Sequence, residues 1–146
     1  MAITVGLIID HQSTSDVMSS VLTDAPLSIS TSHAHTYEEA GQLIALNQCD
    51  IYLIDMTIGR DKSLDLINFI ASKSKPCIAL SDKEDITLIK KALKVGSRGY
   101  LSKSSATNHL VTAISSVLEG QTFIDKATAN SIYEHMNMDA NLQMRA

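Results

Sequence analysis

Hydrophobic positions fall into two patterns along this chain: short continuous runs of strand length, and longer stretches in which apolar residues recur every three or four positions. Ile3-Thr4-Val5-Gly6-Leu7-Ile8-Ile9, Ile51-Tyr52-Leu53-Ile54, Cys77-Ile78-Ala79-Leu80 and Gly99-Tyr100-Leu101 belong to the first kind, and read as strands buried on both faces of a sheet. Leu27 to Ala34 alternates loosely, as a strand nearer the sheet edge would. Between these runs the spacing is helical: Val17, Met18, Val21, Leu22 and Ala25; then Ala40, Leu43, Ile44 and Leu46; then Leu64, Leu66, Ile67 and Ile70 after a loop from Met56 to Lys62. A fourth helix is expected from about Lys83 to Val95 with Gly96 as its stop, and a fifth carries Leu110, Val111, Ile114, Val117 and Leu118 up to Gly120. Ser13 or Thr14 is placed to cap the first helix, and Thr36 with Glu39 forms a capping box for the second. Strands alternating with helices five times predict an α/β domain built on a parallel sheet with right-handed crossovers.

The residues that end the strands change this picture from a fold to a site. Asp10 follows the first strand, Asp55 the third, Ser81 the fourth and Lys103 the fifth. In an open α/β sheet the carboxyl ends of the strands form the ligand-binding edge, so two acids, a hydroxyl and an amine are expected to converge there. A carboxylate can attack a phosphoryl donor, but two carboxylates and a phosphate repel one another unless a cation intervenes. Mg²⁺ suits Asp10 and Asp55 because it binds through one or two carboxylates plus water and phosphate oxygens. Lys103 then serves as a point charge toward a phosphoryl oxygen, and Ser81 as a hydrogen-bond donor to another. Such a site would make and hold an aspartyl phosphate.

Composition narrows the surroundings. The chain has 146 residues, enough for one domain, and 45% of them are apolar. A net charge of −4 gives no overall basic footprint, so DNA binding is expected only through a separate domain. Cys49 and Cys77 are isolated cysteines in a chain without a basic, apolar leader, and are read as reduced, buried, cytoplasmic thiols. No apolar run reaches a membrane span. A flavodoxin-like enzyme or nucleotide binder is disfavoured because no glycine-rich phosphate loop follows the first strand, so no enzyme is expected. His11 is read as a surface loop residue, and His33 with His35 lacks a third ligand for zinc.

Asp10-His11, Asp50 to Asp55, Ile78-Ala79-Leu80-Ser81 and the run from Gly96 to Lys103 resemble the receiver domains of two-component response regulators, most of all the NarL/LuxR-type transcriptional subfamily. The resemblance implies a flavodoxin-like five-stranded sheet of order 2-1-3-4-5 with five helices, covering residues 1–125. It implies phosphotransfer from a histidine kinase to Asp55, Mg²⁺ held by Asp10, Asp55 and the backbone carbonyl of Thr57, and phosphoryl contacts from Ser81 and Lys103. It also implies a switch in which Ser81 moves toward the phosphoryl group and Tyr100 changes rotamer, altering the partner surface of the fourth helix, fifth strand and fifth helix. A homodimer is expected. Residues 126–146 are expected to form a linker or extra helix leading to a C-terminal helix-turn-helix domain outside this chain.

Two residues depart from the family pattern in the pocket. Ile9 stands where a second acid is usual, which weakens Mg²⁺ binding, and it is read as core filling. Asp82 follows Ser81 where a small residue is usual; it would repel an incoming phosphoryl group, and is read as a cap for the fourth helix. A rival reading follows from both: an atypical receiver that dimerises or binds another ligand independently of phosphorylation.

Overall fold

The computed structural model describes residues 2–81 and 85–134. Strands β1 (Ala2–Ile8), β2 (Ser28–Ala34), β3 (Ile51–Asp55), β4 (Cys77–Ser81), β5 (Gly99–Ser102) and β6 (Phe123–Ile124) form one sheet. Its order is β2-β1-β3-β4-β5-β6 and every pairing is parallel. The expected order is therefore correct for five strands, and a sixth extends it. Phe123-Ile124 pairs with Gly99-Tyr100 over only two residues, too short a run to write a strand pattern in the sequence.

Helices α1 (Gln12–Thr23), α2 (Tyr37–Leu46), α3 (Arg60–Ser72), α4 (Ile86–Lys94) and α5 (Lys103–Leu118) make the crossovers. The expected loop from Met56 to Lys62 is instead a 3-10 turn, Met56–Ile58, followed at once by α3. Residues 126–134 are also helical. So the helices exceed the five expected.

Parity along the strands separates two cores. Ile8, Tyr52, Ile54, Ala79 and Tyr100 face α2, α3 and α4, whereas Val5, Leu7, Leu53, Ile78, Leu80 and Leu101 face α1 and α5. Both faces being covered explains why the central strands are apolar throughout. Two glycines mark close approaches. A Cβ at Gly6 would lie 2.6 Å from the buried Tyr52 ring, so only glycine lets β3 bring that ring against β1. Gly96, at φ +127°, ends α4, and a Cβ there would meet Ala71 at 2.7 Å.

Several local expectations are corrected. The N-cap of α1 is His11 and no side chain bonds there, so neither Ser13 nor Thr14 is the cap; both lie inside the helix. Val17 and Leu46 are exposed and belong to no core face, and Ala25 lies beyond the end of α1. Thr36 does accept from the Glu39 N–H at 3.1 Å, but the Glu39 carboxylate reaches back to the His35 N–H, one residue earlier than a capping box requires. Cys49 and Cys77 are free and buried. Burial pushes the Cys49 thiol up, and pushes Cys77 up to about 12.

Candidate phosphoacceptor site

Asp55 is the last residue of β3 and has no exposed surface. The apolar run before it commits the strand to the interior, and the 3-10 turn after it folds Thr57 back over the carboxylate. Asp55 Oδ1 accepts from the Thr57 N–H at 3.0 Å and lies 2.8 Å from the Thr57 hydroxyl. Asp55 Oδ2 faces the Lys103 ammonium at 2.8 Å. Lys103 opens α5 immediately after β5, so the ends of two strands that flank β4 supply the two charges.

Asp10 enters from the loop after β1. Its Oδ1 lies 2.9 Å from the same Thr57 hydroxyl, which therefore stands between two carboxylates. A hydroxyl carries one proton and can donate it fully to only one of them at a time. His11 is well exposed, with Nε2 3.9 Å from Asp10 Oδ2. The sequence resemblance implies only a backbone ligand at Thr57; its side-chain contact spans 47 positions, which no local pattern records.

Ile9 is fully buried in the core beneath α1 and α5. Its carbonyl accepts from His35 Nδ1 at 2.9 Å, so the position expected to hold a second acid is occupied by core packing. Asp82 lies outside the described residues. The cap of α4 is Asp85, whose carboxylate accepts from the Leu88 N–H at 3.0 Å, and an ion pair joins Asp85 to Arg60 at the start of α3.

Ser81 ends β4 and pairs in register with Ser102, the residue before Lys103. This places it beside the Asp55 and Lys103 strand ends. Tyr100 is buried with 1% exposure, and its side chain packs in the core that includes Ile89 and Ala92 of α4. Ser81 and Tyr100 line one narrow cleft together with Met56, Asp85 and Leu88. Asp10, Asp55, Thr57 and Lys103 are thus joined by direct contacts, and Ser81 and Tyr100 share the adjoining space.

A further acid lies beside this pocket with no motif in the sequence to mark it. Asp125, at the end of β6, is buried and accepts from the Ser102 N–H at 3.1 Å, the Ser105 hydroxyl at 3.3 Å and the Thr128 N–H at 2.9 Å. Burial would raise its pKa, but hydrogen bonds from Thr128, Ser102 and Ser105 outweigh that and hold it below the ordinary carboxylate value.

Oxygen donors from two carboxylates at one strand edge match the hard-ligand requirement of Mg²⁺, which takes few protein ligands and keeps water for the rest. Among the described residues no group of three or more His, Cys, Asp or Glu side chains could hold a metal ion, so a cation at Asp10 and Asp55 would need other oxygen ligands to complete its shell.

A parallel sheet of this order carries buried Asp55 against Lys103 at its carboxyl edge, and the chain belongs to the response regulator receiver domain family, which matches residues 5–115. It is similar to the oxygen regulatory protein NreC of Staphylococcus epidermidis, with 27% identity over 103 residues, covering 68% of this chain and 47% of that protein. Response regulator UvrY of Escherichia coli K12 is 33% identical over 89 residues, which cover 60% of this chain and 41% of UvrY. The chain spans less than half the length of these curated relatives. A crystal structure of a LuxR-family two-component response regulator from Aurantimonas sp. SI85-9A1 superimposes with a TM-score of 0.84 at 22% identity, covering 93% of this chain and 99% of that one, a likeness of fold.

Proposed function

We propose that this receiver domain accepts a phosphoryl group on Asp55 from the phosphohistidine of a histidine kinase. An Asp55 carboxylate oxygen attacks phosphorus, the P–N bond to the kinase imidazole breaks, and that imidazole leaves and takes up a proton. The product is an acyl phosphate on Asp55. The observation that carries this reading is the fully buried Asp55 carboxylate, held at 2.8 Å by Lys103 and sharing the Thr57 hydroxyl with a second carboxylate, Asp10.

Each neighbour then has a defined task. The Thr57 N–H orients Oδ1 of Asp55, and Lys103 is within reach of an oxygen on the incoming group. Ser81 would move toward another phosphoryl oxygen and donate to it, and the cleft it shares with Tyr100, Leu88 and Ile89 would carry that movement to α4. Asp10, Asp55 and the Thr57 carbonyl would hold Mg²⁺, which supplies charge neutralisation for the developing phosphoryl oxygens. With Ile9 in the core, Asp10 is the acid that the β1 end contributes, so metal affinity is lower than with an acid pair.

The signal would pass to a C-terminal DNA-binding domain through residues 126–146, in a cytoplasmic transcription regulator acting as a homodimer. Among the described residues no helix is long and apolar enough to cross a membrane. Incubation with acetyl phosphate and Mg²⁺, read by intact mass, tests the chemistry. Gain of one phosphoryl group that requires Mg²⁺ is expected. No gain by a folded protein would favour the phosphorylation-independent receiver.

A further inference from the structure

Helix α5 begins at Ser102 with no side-chain cap of its own, although its first residue is Lys103. A carboxylate twenty-three residues further on holds this first turn instead. Asp125 Oδ2 accepts from the Ser102 N–H and lies 3.3 Å from the Ser105 hydroxyl, so it brackets Lys103 on both sides. Its other oxygen, Oδ1, caps the helix at 126–134 by accepting from the Thr128 N–H. One buried carboxylate thus serves two helix N-termini at once. The far part of the second helix is anchored separately: Ile132 packs against the core cluster that contains Tyr100, Ile89 and Ala92.

We propose that Asp125 is a positioning residue for Lys103 and the joint through which the phosphoryl pocket and the helix at 126–134 sense one another. The inference rests on the reading of Asp55 and Lys103 as the pocket. A displacement of Lys103 moves the first turn of α5, that turn holds Ser102 and Ser105, and both bond the carboxylate that caps the next helix. Because coupling between two sites is reciprocal, the state of that helix also biases the position of Lys103. A helix capped at this joint and packed on the core through Ile132 is well placed to respond to the pocket.

Amide hydrogen exchange on the 146-residue chain tests this, with β2, at the far edge of the sheet, as the control for global opening. Lys103→Ala is expected to speed exchange over 126–134 by roughly twofold to thirtyfold relative to β2, the span of coupling energies carried through packed networks. In an Asp125→Asn background the same Lys103→Ala change is expected to leave 126–134 unmoved. Exchange over 126–134 that ignores Lys103→Ala, or that still responds after Asp125→Asn, overturns the proposal. Should Asp125→Asn fail to fold, Ser105→Ala removes one arm of the joint and keeps the Thr128 bond: a reduced response supports the coupling and an undiminished one overturns it. These arms need no phosphorylation, so they stand even where acetyl phosphate fails to label Asp55. Where it does label, protection over 126–134 is expected to change on phosphorylation in the parent and not in Asp125→Asn.

Discussion

Lys103 Nζ lies 2.8 Å from Oδ2 of Asp55, and the two groups differ sharply in burial: Asp55 has no exposed surface while the Lys103 side chain is 20% exposed. The pair is therefore asymmetric. Removing the lysine strands a buried carboxylate, whereas removing the carboxylate leaves an ammonium that can reach water. Lys103→Met is expected to lower stability by about 3 kcal/mol, the low end for breaking a buried pair, because Lys103 is partly exposed. Asp55→Asn is expected to cost clearly less. Urea denaturation midpoints of the two variants check the order, and equal losses would show that the pair is well solvated.

The Thr57 hydroxyl sits between Oδ1 of Asp10 and Oδ1 of Asp55 and would compete with a cation for both. It also moderates the repulsion between the two acids in the metal-free pocket. Thr57→Ala removes the competing donor and leaves the backbone carbonyl. Calorimetric titration is expected to show Mg²⁺ binding tightened by about twofold to tenfold, the worth of roughly one hydrogen bond. Weaker binding would place the hydroxyl among the groups that favour the metal.

Stability is expected to be lost on the alkaline side. Burial pushes up the Cys49 thiol and the Tyr52 phenol, and pushes the Cys77 thiol up to about 12. A raised folded-state value means that the unfolded chain loses these protons first as pH rises. The stabilisation is fully present below the unfolded thiol value of about 8.5, and declines as pH climbs toward the folded values, by up to about 1.4 kcal/mol per pH unit for each titrating group. Urea midpoints measured from pH 7 to 11 should be flat and then fall. A midpoint that stays level throughout would contradict the burial of these groups.

The sequence made the strand ends legible for a physical reason. A parallel strand covered on both faces must be apolar throughout, so Ile51 to Ile54 announces a buried strand, and a carboxylate closing it has to stand at the ligand-binding edge. Asp55, Asp10, Ser81 and Lys103 could be located this way because each is fixed by its own strand. What escaped depends on contacts that spacing does not encode. Arg60-Asp61-Lys62 carries no apolar residue, so the first turn of α3 has the pattern of a loop, and Lys103-Ser104-Ser105 hides the start of α5 in the same way. Thr57 reaches Asp10 across 47 positions, and Asp125 reaches Ser102 across 23. Neither partner could be named without the fold that brings them together.

Asp55, and no other carboxylate, is expected to carry the phosphoryl group. Borohydride reduces an aspartyl phosphate to homoserine and spares free carboxylates, so it marks the acceptor after treatment with acetyl phosphate and Mg²⁺. Peptide sequencing by tandem mass spectrometry then reads the position. Homoserine at position 55 alone, absent without Mg²⁺, is the expected result. Homoserine at position 10, or none anywhere in a folded protein, would contradict it.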